Sequence, residues 1–459
     1  MSWSRRDFLS LSAAAAAGLA ATRLPVFAGD EVGYGPLVRD EGKVLDLPQG
    51  FSYTVFSRKN DKMSDGLDTP AAHDGMAAFP GPDGKTILIR NHEQSLSGWN
   101  PFGKDAERLD EAKLALLYEG GVIKEEKGRK RRRAALGGTT TLVFDTKTQQ
   151  LEASWLSLGG TMRNCAGGPT PWGSWLTCEE DTTRAGKGFT VDHGWVFEVP
   201  VTHEPKLHKA VPIKAMGRFN HEACAVDPTS GAVYMTEDRI DGLFYRYLPK
   251  VKGKLAEGGK LQALTLVHRK SNLTANHPGA DPIPVGQDLA AAWIDLEDIE
   301  APKDDLRTRG AAAGAAVFCR GEGLWWGHGG AFFTCTAGGP NLRGQVWRYT
   351  PDPQDPAQGK LRLLVEPNDE KMFDMIDNIC VAPWGDLYCC EDGSNGNGLV
   401  GITPEGRAYR FAWNRMNSSE LTGVCASPDG TTLFVNIQRP GLTLAITGPW
   451  KTLRGKREF

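Results

Sequence analysis

The chain reads as an all-β protein, a six-bladed β-propeller with loop and helical insertions, on three observations. Short apolar runs recur between turn residues, with 55 glycines along the chain and no long 3.6-period amphipathic segment after residue 28. Three segments share one pattern of turn, apolar strand and terminal acids: Gly173–Asp181 ending in Glu179-Glu180-Asp181, Gly231–Arg239 ending in Glu237-Asp238-Arg239, and Gly385–Gly393 ending in Glu391-Asp392-Gly393. Each is followed by a second strand that runs to a proline, at Pro200, Pro249 and Pro404. A repeated unit that always sets carboxylates at one strand end has a geometric consequence. Arranged radially, the units bring those ends together, and carboxylates sharing one pocket repel unless cations lie between them. The expectation is a metal cluster at the propeller axis.

The elements follow in order. Residues 1–28 read Ser4-Arg5-Arg6-Asp7-Phe8-Leu9, an Ala-rich apolar stretch, and Val26-Phe27-Ala28 before a cleavage point. This is a twin-arginine export signal, with an apolar run too short to span a bilayer. It implies the twin-arginine export machinery as a partner and a periplasmic or secreted product with no membrane anchor in the mature form. Residues 29–459 read as one propeller domain, expected to be monomeric. Strands are expected at Thr86–Arg90, Thr140–Phe144, Trp175–Cys178, Trp195–Val199, Ala223–Val226, Val233–Thr236 and Leu243–Tyr247. More follow from Leu261–His268 to Thr432–Asn436, with turns at Pro82-Asp83-Gly84 and Ser427–Gly430. The spacing suits blades of about 40–50 residues with insertions. Leu109–Tyr118 and Leu289–Ile299 are the best short helices. Strands from both chain ends are expected to complete one blade, with Phe434–Thr447 as the C-terminal part, because closure leaves no free edge.

The full chain carries a formal charge of −3, and residues 1–28 carry +2, so the mature chain carries −5. Mild acidity offers nucleic acid no general attraction. The basic run Lys127–Arg133, between Gly120-Gly121 and Gly137-Gly138, reads as a loop insertion, with a patch for an anionic surface as the alternative. Nine cysteines leave at least one unpaired within the chain. Eight lie in apolar strand patterns and read as small buried hydrophobes. Cys165, in the Gly-rich turn Arg163–Gly168, reads as accessible and as a possible metal ligand.

Further polar clusters interrupt the strand pattern: Asn91-His92-Glu93, Asn220-His221-Glu222 and Asp377-Asn378. The candidate ligands are therefore Asn91, Glu93, Cys165, Glu179, Glu222, Glu237, Asp238, Asp377, Glu391 and Asp392. Carboxylates and Asn suit Ca²⁺ or ferric iron, and one thiolate favours a transition metal at one position. No Cys-x-x-Cys pair or His-x-x-x-His helix supports a zinc site. Each acid pair could instead cap a turn. Arg239 follows two candidate ligands, and its planar fork matches phosphate; a salt bridge to neighbouring acids is the alternative.

The run Asn164–Glu180, with Gly217–Glu222 and Asp377-Asn378-Ile379, resembles the signature of the PhoX-type alkaline phosphatases, over about Asn91 to Trp450. The resemblance implies a six-bladed propeller whose axial site holds ferric (Fe³⁺) and calcium (Ca²⁺) ions joined by an oxo group, with Cys165 as the cysteine ligand. It places Glu179, Glu222, Glu237, Asp377 and Glu391 in ligand-bearing segments, and leaves open which acid of each pair binds. The implied activity is that of a phosphoric monoester hydrolase on small-molecule phosphoesters, with metal ions and Arg239 taking the phosphate oxygens. A calcium-dependent propeller lactonase or esterase, which gives no role to Cys165, and a non-catalytic metal-stabilised propeller are the rival readings.

Overall fold

A computed structural model of the chain describes residues 32–450 apart from 122, 127, 128, 133, 187, 368, 370 and 371. The expected export signal at 1–28 lies outside the described residues. The described chain is all-β with a propeller-like arrangement of antiparallel sheets. Among the described residues, six strands form its centre: His73–Pro80, Asn164–Pro169, His221–Val226, Gly321–Gly327, Ile376–Val381 and Leu421–Ala426. Each packs beside the next, and the last packs beside the first. Each is the first strand of an antiparallel run that continues outward.

The expected six separate sheets are not what the pairing gives. The runs that begin at His221 and Gly321 fuse into one ten-stranded sheet, because Asp288–Asp295 pairs with Gln358–Val365. Each of these outer strands would otherwise leave a row of unpaired backbone groups. Asp288–Asp295 also corrects the expected helix at Leu289–Ile299. Its Ala-Ala-Ala core favours a helix in isolation, but pairing on both edges overrides that preference. The other expected helix survives only as Glu111–Leu114, capped by Asp110, whose carboxylate accepts the Lys113 N–H at 2.8 Å. The basic insertion forms a two-stranded hairpin, Ile123–Glu126 against Arg129–Arg132.

The chain ends meet as closure requires. Leu442–Thr447 takes Ser52–Arg58 as its outer partner, in register at Ala445 and Thr54. Leu45–Pro48 likewise extends the neighbouring sheet by pairing with Ala408–Asn414. Because neighbouring sheets cover both faces, middle strands such as Leu387–Glu391 are buried at every position. They therefore read in sequence as continuous apolar runs rather than alternating ones. The core lies between sheets. Phe244 stacks on Phe333 at 4.4 Å between the two halves of the ten-stranded sheet, and Phe411 meets Phe51 at 5.2 Å between two separate sheets. Trp325 packs against four of the apolar clusters at once, near the centre of the ring. The axial cavity beside it, lined by Gly75, Ala166, Ala223, Gly323 and Gly423, holds only about 20 Å³. That is room for about one water.

Candidate metal centre

The starts of the six first strands are alike. Their second residues are Asp74, Cys165, Glu222, Glu322, Asp377 and Thr422. In every case the pairing register slips just after this position. A bulge adds a residue on one strand, sharpens the local twist and re-aims the side chain. Here it turns the second residue toward the axis. The strands approach closely where this happens. A Cβ on Gly75 would sit 2.6 Å from the Ala166 Cα, and one on Gly323 would sit 2.6 Å from the Asn378 Cα. Glycine permits these contacts, and the first brings Asp74 Oδ1 to 3.8 Å from Cys165 Sγ.

Three groups of ligand atoms result: Asp74, Glu93 and Cys165; Cys165, Glu180 and Glu222; Glu222, Glu322 and Asp377. Within each, the atoms lie within 4.8 Å of one another. Cys165 and Glu222 each belong to two groups, so the three join in one continuous arc. Polar groups hold it from outside. Arg163 bridges Glu93 at 2.7 Å and Glu180 at 2.5 Å. Arg320 forks onto Asp238 at 2.8 and 3.0 Å and reaches Glu322 at 2.5 Å. The Gln438 amide donates to both Asp74 and Glu93 at 2.9 Å. Glu222 differs: it is fully buried, and neither carboxylate oxygen has a hydrogen-bond partner among the described residues.

Burial is the first cause of every acid shift in the arc, and repulsion between neighbours adds to it. The carboxyls of Asp74, Glu180, Glu222 and Glu322 are held well above the usual range, and that of Asp377 is pushed up to about 7. Burial and the surrounding acids push the Cys165 thiol up in the same way. Such a set is stable as neutral acids or as anions around cations. One thiol, shared acids and an unpartnered buried carboxylate fit a group of cations, and loading them releases protons.

The sequence-derived residues divide between this arc and its supports. Cys165, Glu222, Asp377 and Glu93 lie in it. The Cys165 thiol, expected to be accessible in a turn, is on a strand and only 7% exposed. Asp238 and Asp392 border the arc: Asp238 raises Glu180 and Glu322, and Asp392 raises Asp377. The first acid of each pair faces away, since consecutive strand residues point to opposite sides. Glu179 accepts from the Met162, Gly194 and Trp195 N–H groups at 2.9, 2.9 and 3.2 Å and contacts His193 Nδ1 at 2.6 Å. Glu391 accepts from the Asp374 and Gly398 N–H groups, each at 2.9 Å, and pairs with Arg410. Glu237 accepts from the Tyr245 hydroxyl at 2.6 Å, with Arg307 3.6 Å away. All three tie down the turn that follows their strand. Asn91 is also committed elsewhere: its amide donates to the Cys165 and Ala166 carbonyls at 3.1 and 2.7 Å and accepts from Trp175 Nε1 and the Thr177 hydroxyl, both at 2.9 Å. It positions Cys165 through the backbone.

Arg239 is half-buried and donates to the Asp238 carbonyl at 3.2 Å. The same carbonyl accepts from Asn220, whose amide also reaches Glu180 at 3.1 Å. The guanidinium is thus three hydrogen bonds from the arc. Sequence reasoning missed Asp74, Glu180, Glu322, Arg163 and Arg320 as site residues. A signal for two of them was present: His73-Asp74-Gly75 and Gly321-Glu322-Gly323 repeat the acid-then-small-residue start of His221-Glu222-Ala223.

A family model described as alkaline phosphatase PhoX matches residues 32–441. The chain belongs to the PhoX alkaline phosphatase family. Among solved structures, PhoX of Pseudomonas fluorescens in complex with vanadate, a transition state analogue, is similar at 20% identity and a TM-score of 0.61, covering 88% of this chain and 96% of that one. A gluconolactonase from Xanthomonas campestris gives 13% identity and a TM-score of 0.39, over 91% and 98% of the two chains. A luciferin-regenerating enzyme gives 10% and 0.42, over 89% and 98%. No curated protein matches the PhoX-family chain by sequence.

Proposed function

We infer that this PhoX-family protein is a metal-dependent phosphomonoesterase that releases phosphate from small-molecule phosphoesters at the axial arc. The observation that carries the reading, beside the family match, is Glu222: a buried carboxylate with no protein partner, shared by two ligand groups. The closed circuit of first strands supports reading the propeller as six-bladed. Cys165, Asp74, Glu93, Glu180, Glu222, Glu322 and Asp377 would hold the cations. The mixed donor set, one thiolate among carboxylates, suits ferric iron with calcium. Bound cations of this kind neutralise phosphoryl charge and supply an activated oxygen nucleophile.

The chain's own groups do the rest. Arg163 and Arg320 fix the carboxylates from outside. Arg239 has no carboxylate partner among the described residues, which leaves its fork to take a phosphate oxygen pair. The axial cavity beside Trp325, with about 20 Å³, is too small to hold a phosphoester. No described helix is long and apolar enough to cross a membrane. The twin-arginine pattern at residues 4–9 supports an exported enzyme acting outside the cytoplasm.

The reading is tested on protein exported from its native host, by phosphate release from nitrophenyl phosphate beside a lactone substrate. Turnover of the phosphoester alone, blocked by vanadate, is expected. Lactone turnover without phosphoester turnover would replace the reading with the lactonase.

A further inference from the structure

A second cavity lies on the outer strand of the sheet that starts at His73, apart from the axial arc. Gln150–Thr161 is the last of the four strands in that sheet. Three strand spacings, about 14 Å, separate it from the axial strand. Its outer edge pairs with no strand among the described residues. Two crossing segments take some of its backbone groups instead. On one, Ser64 N–H donates to the Ser154 carbonyl at 2.8 Å, and the Asp65 carboxylate accepts the Leu156 N–H at 2.8 Å. On the other, His208 N–H donates to the Ser157 carbonyl at 2.9 Å. The cavity, of about 200 Å³, is lined by Leu67 of the first segment and Leu207 of the second, with Trp155 and Leu156 of the strand itself.

The lining has two parts of different character. Leu67, Trp155 and Leu156 are buried, and with Leu207 they present hydrocarbon and an indole ring. Lys113 and Lys206 stand on the same cavity, and neither ammonium has an ion-pair or hydrogen-bond partner among the described residues. The one carboxylate of the lining, Asp65, is spent on the Leu67 and Leu156 N–H groups at 3.1 and 2.8 Å. Trp155 adds a donor. It is fully buried, and its indole N–H has no partner among the described residues; nor has the hydroxyl of Thr141, directly across from it. Buried polar groups are rarely left unpaired. About 150 Å³ is enough for a benzene ring, so this cavity takes a ring-sized body with one small polar group. Two cations and an indole donor select a negative one. We propose that the cavity is a peripheral binding site for a small organic anion: a ring-sized apolar body bearing one carboxylate or phosphoryl group. The site is independent of the axial arc and of the phosphatase reading.

The test uses the metal-loaded full chain and two variants. Lys113→Gln with Lys206→Gln removes the charge at the rim, and Leu207→Trp fills the space. Calorimetry measures binding of benzoate, phenylphosphonate, benzyl alcohol and acetate, each with and without saturating vanadate to occupy the axial site. In the presence of vanadate, wild type is expected to bind one equivalent of benzoate or phenylphosphonate per chain. That binding should be about tenfold or more tighter than for benzyl alcohol or acetate. The double Gln variant is expected to lose the preference over benzyl alcohol, and Leu207→Trp to bind none of the four, with nitrophenyl phosphate turnover unchanged in both. Benzoate alone would assign the site to carboxylates, and phenylphosphonate alone to phosphoryl groups. The proposal is overturned if neither anion binds saturably, if the double Gln variant binds them as tightly as wild type, or if vanadate displaces both.

Discussion

Replacing Glu222 with Gln should change stability in opposite directions with and without metal. The carboxylate is fully buried and shares the arc with Cys165, Glu180, Glu322 and Asp377, their ligand atoms within 4.8 Å in each group. Two like charges at that distance repel by about 3.5 kcal/mol at an effective dielectric of 20. Protonation caps this cost, which is why these carboxyls sit so high. In the metal-free protein at pH 8, Glu222→Gln removes the repulsion and supplies an amide that can donate to its neighbours, a gain of about 1–3 kcal/mol. In the metal-loaded protein it removes a ligand shared by two groups. A hundredfold loss of affinity lowers stability by about 2.3 kcal/mol when metal is present at a hundred times the original Kd.

The pH dependence has a definite sign. Asp377 is pushed from 3.8 to about 7 in the folded chain, so its neutral form favours folding. That contribution is full below about pH 4 and is lost as pH rises through 7. Metal-free wild type should therefore weaken between pH 5 and 8, and Glu222→Gln less so. Denaturant midpoints with and without chelator, at pH 6 and 8, read all of this. If Glu222→Gln destabilises the chelated protein as much as the loaded one, Glu222 is an ordinary buried polar residue and the cation arc is wrong.

Four further substitutions separate supports from ligands. Glu179→Gln should cost about 2–4 kcal/mol, because it disturbs a carboxylate bound by three N–H groups and His193, while keeping bound metal. Glu180→Gln should lower metal content with little loss of fold, and thermal melting beside elemental analysis distinguishes the two. Cys165→Ser should lose iron and its visible absorbance while remaining folded, since Ser is a poor substitute for a thiolate; unchanged iron content removes the thiolate from the site. Arg239→Lys should keep metal and stability but lower nitrophenyl phosphate turnover on the order of 10–1000-fold, with weaker inhibition by inorganic phosphate. Loss of metal in that variant, with full specific activity in the loaded fraction, would make Arg239 structural.

Much of this architecture was legible in the chain because turn, strand and acid recur at equivalent places. The recurrence located the strand ends that converge, and the Asn164–Glu180 run located Cys165. Which acid of each pair reaches the axis was hidden: a one-residue difference on a strand reverses the face, and Glu179 reads like Glu180 until the pairing register is known. Asp74 and Glu322 were hidden for another reason. Each is a lone acid before a glycine, and only the bulge beside it turns it inward. Asp288–Asp295 was misread because three alanines carry helical propensity and no local mark of the neighbouring strands.

The central claim, a cation cluster that performs phosphoester hydrolysis, is tested most directly by pairing metal content with turnover on one sample. Natively exported protein is analysed for elements, stripped with chelator, and reloaded with iron and calcium separately and together. The account predicts both metals at stoichiometric levels, loss of nitrophenyl phosphate turnover on stripping, and recovery only when both are restored. Zinc as the sole stoichiometric metal, or full turnover in the stripped protein, would contradict it.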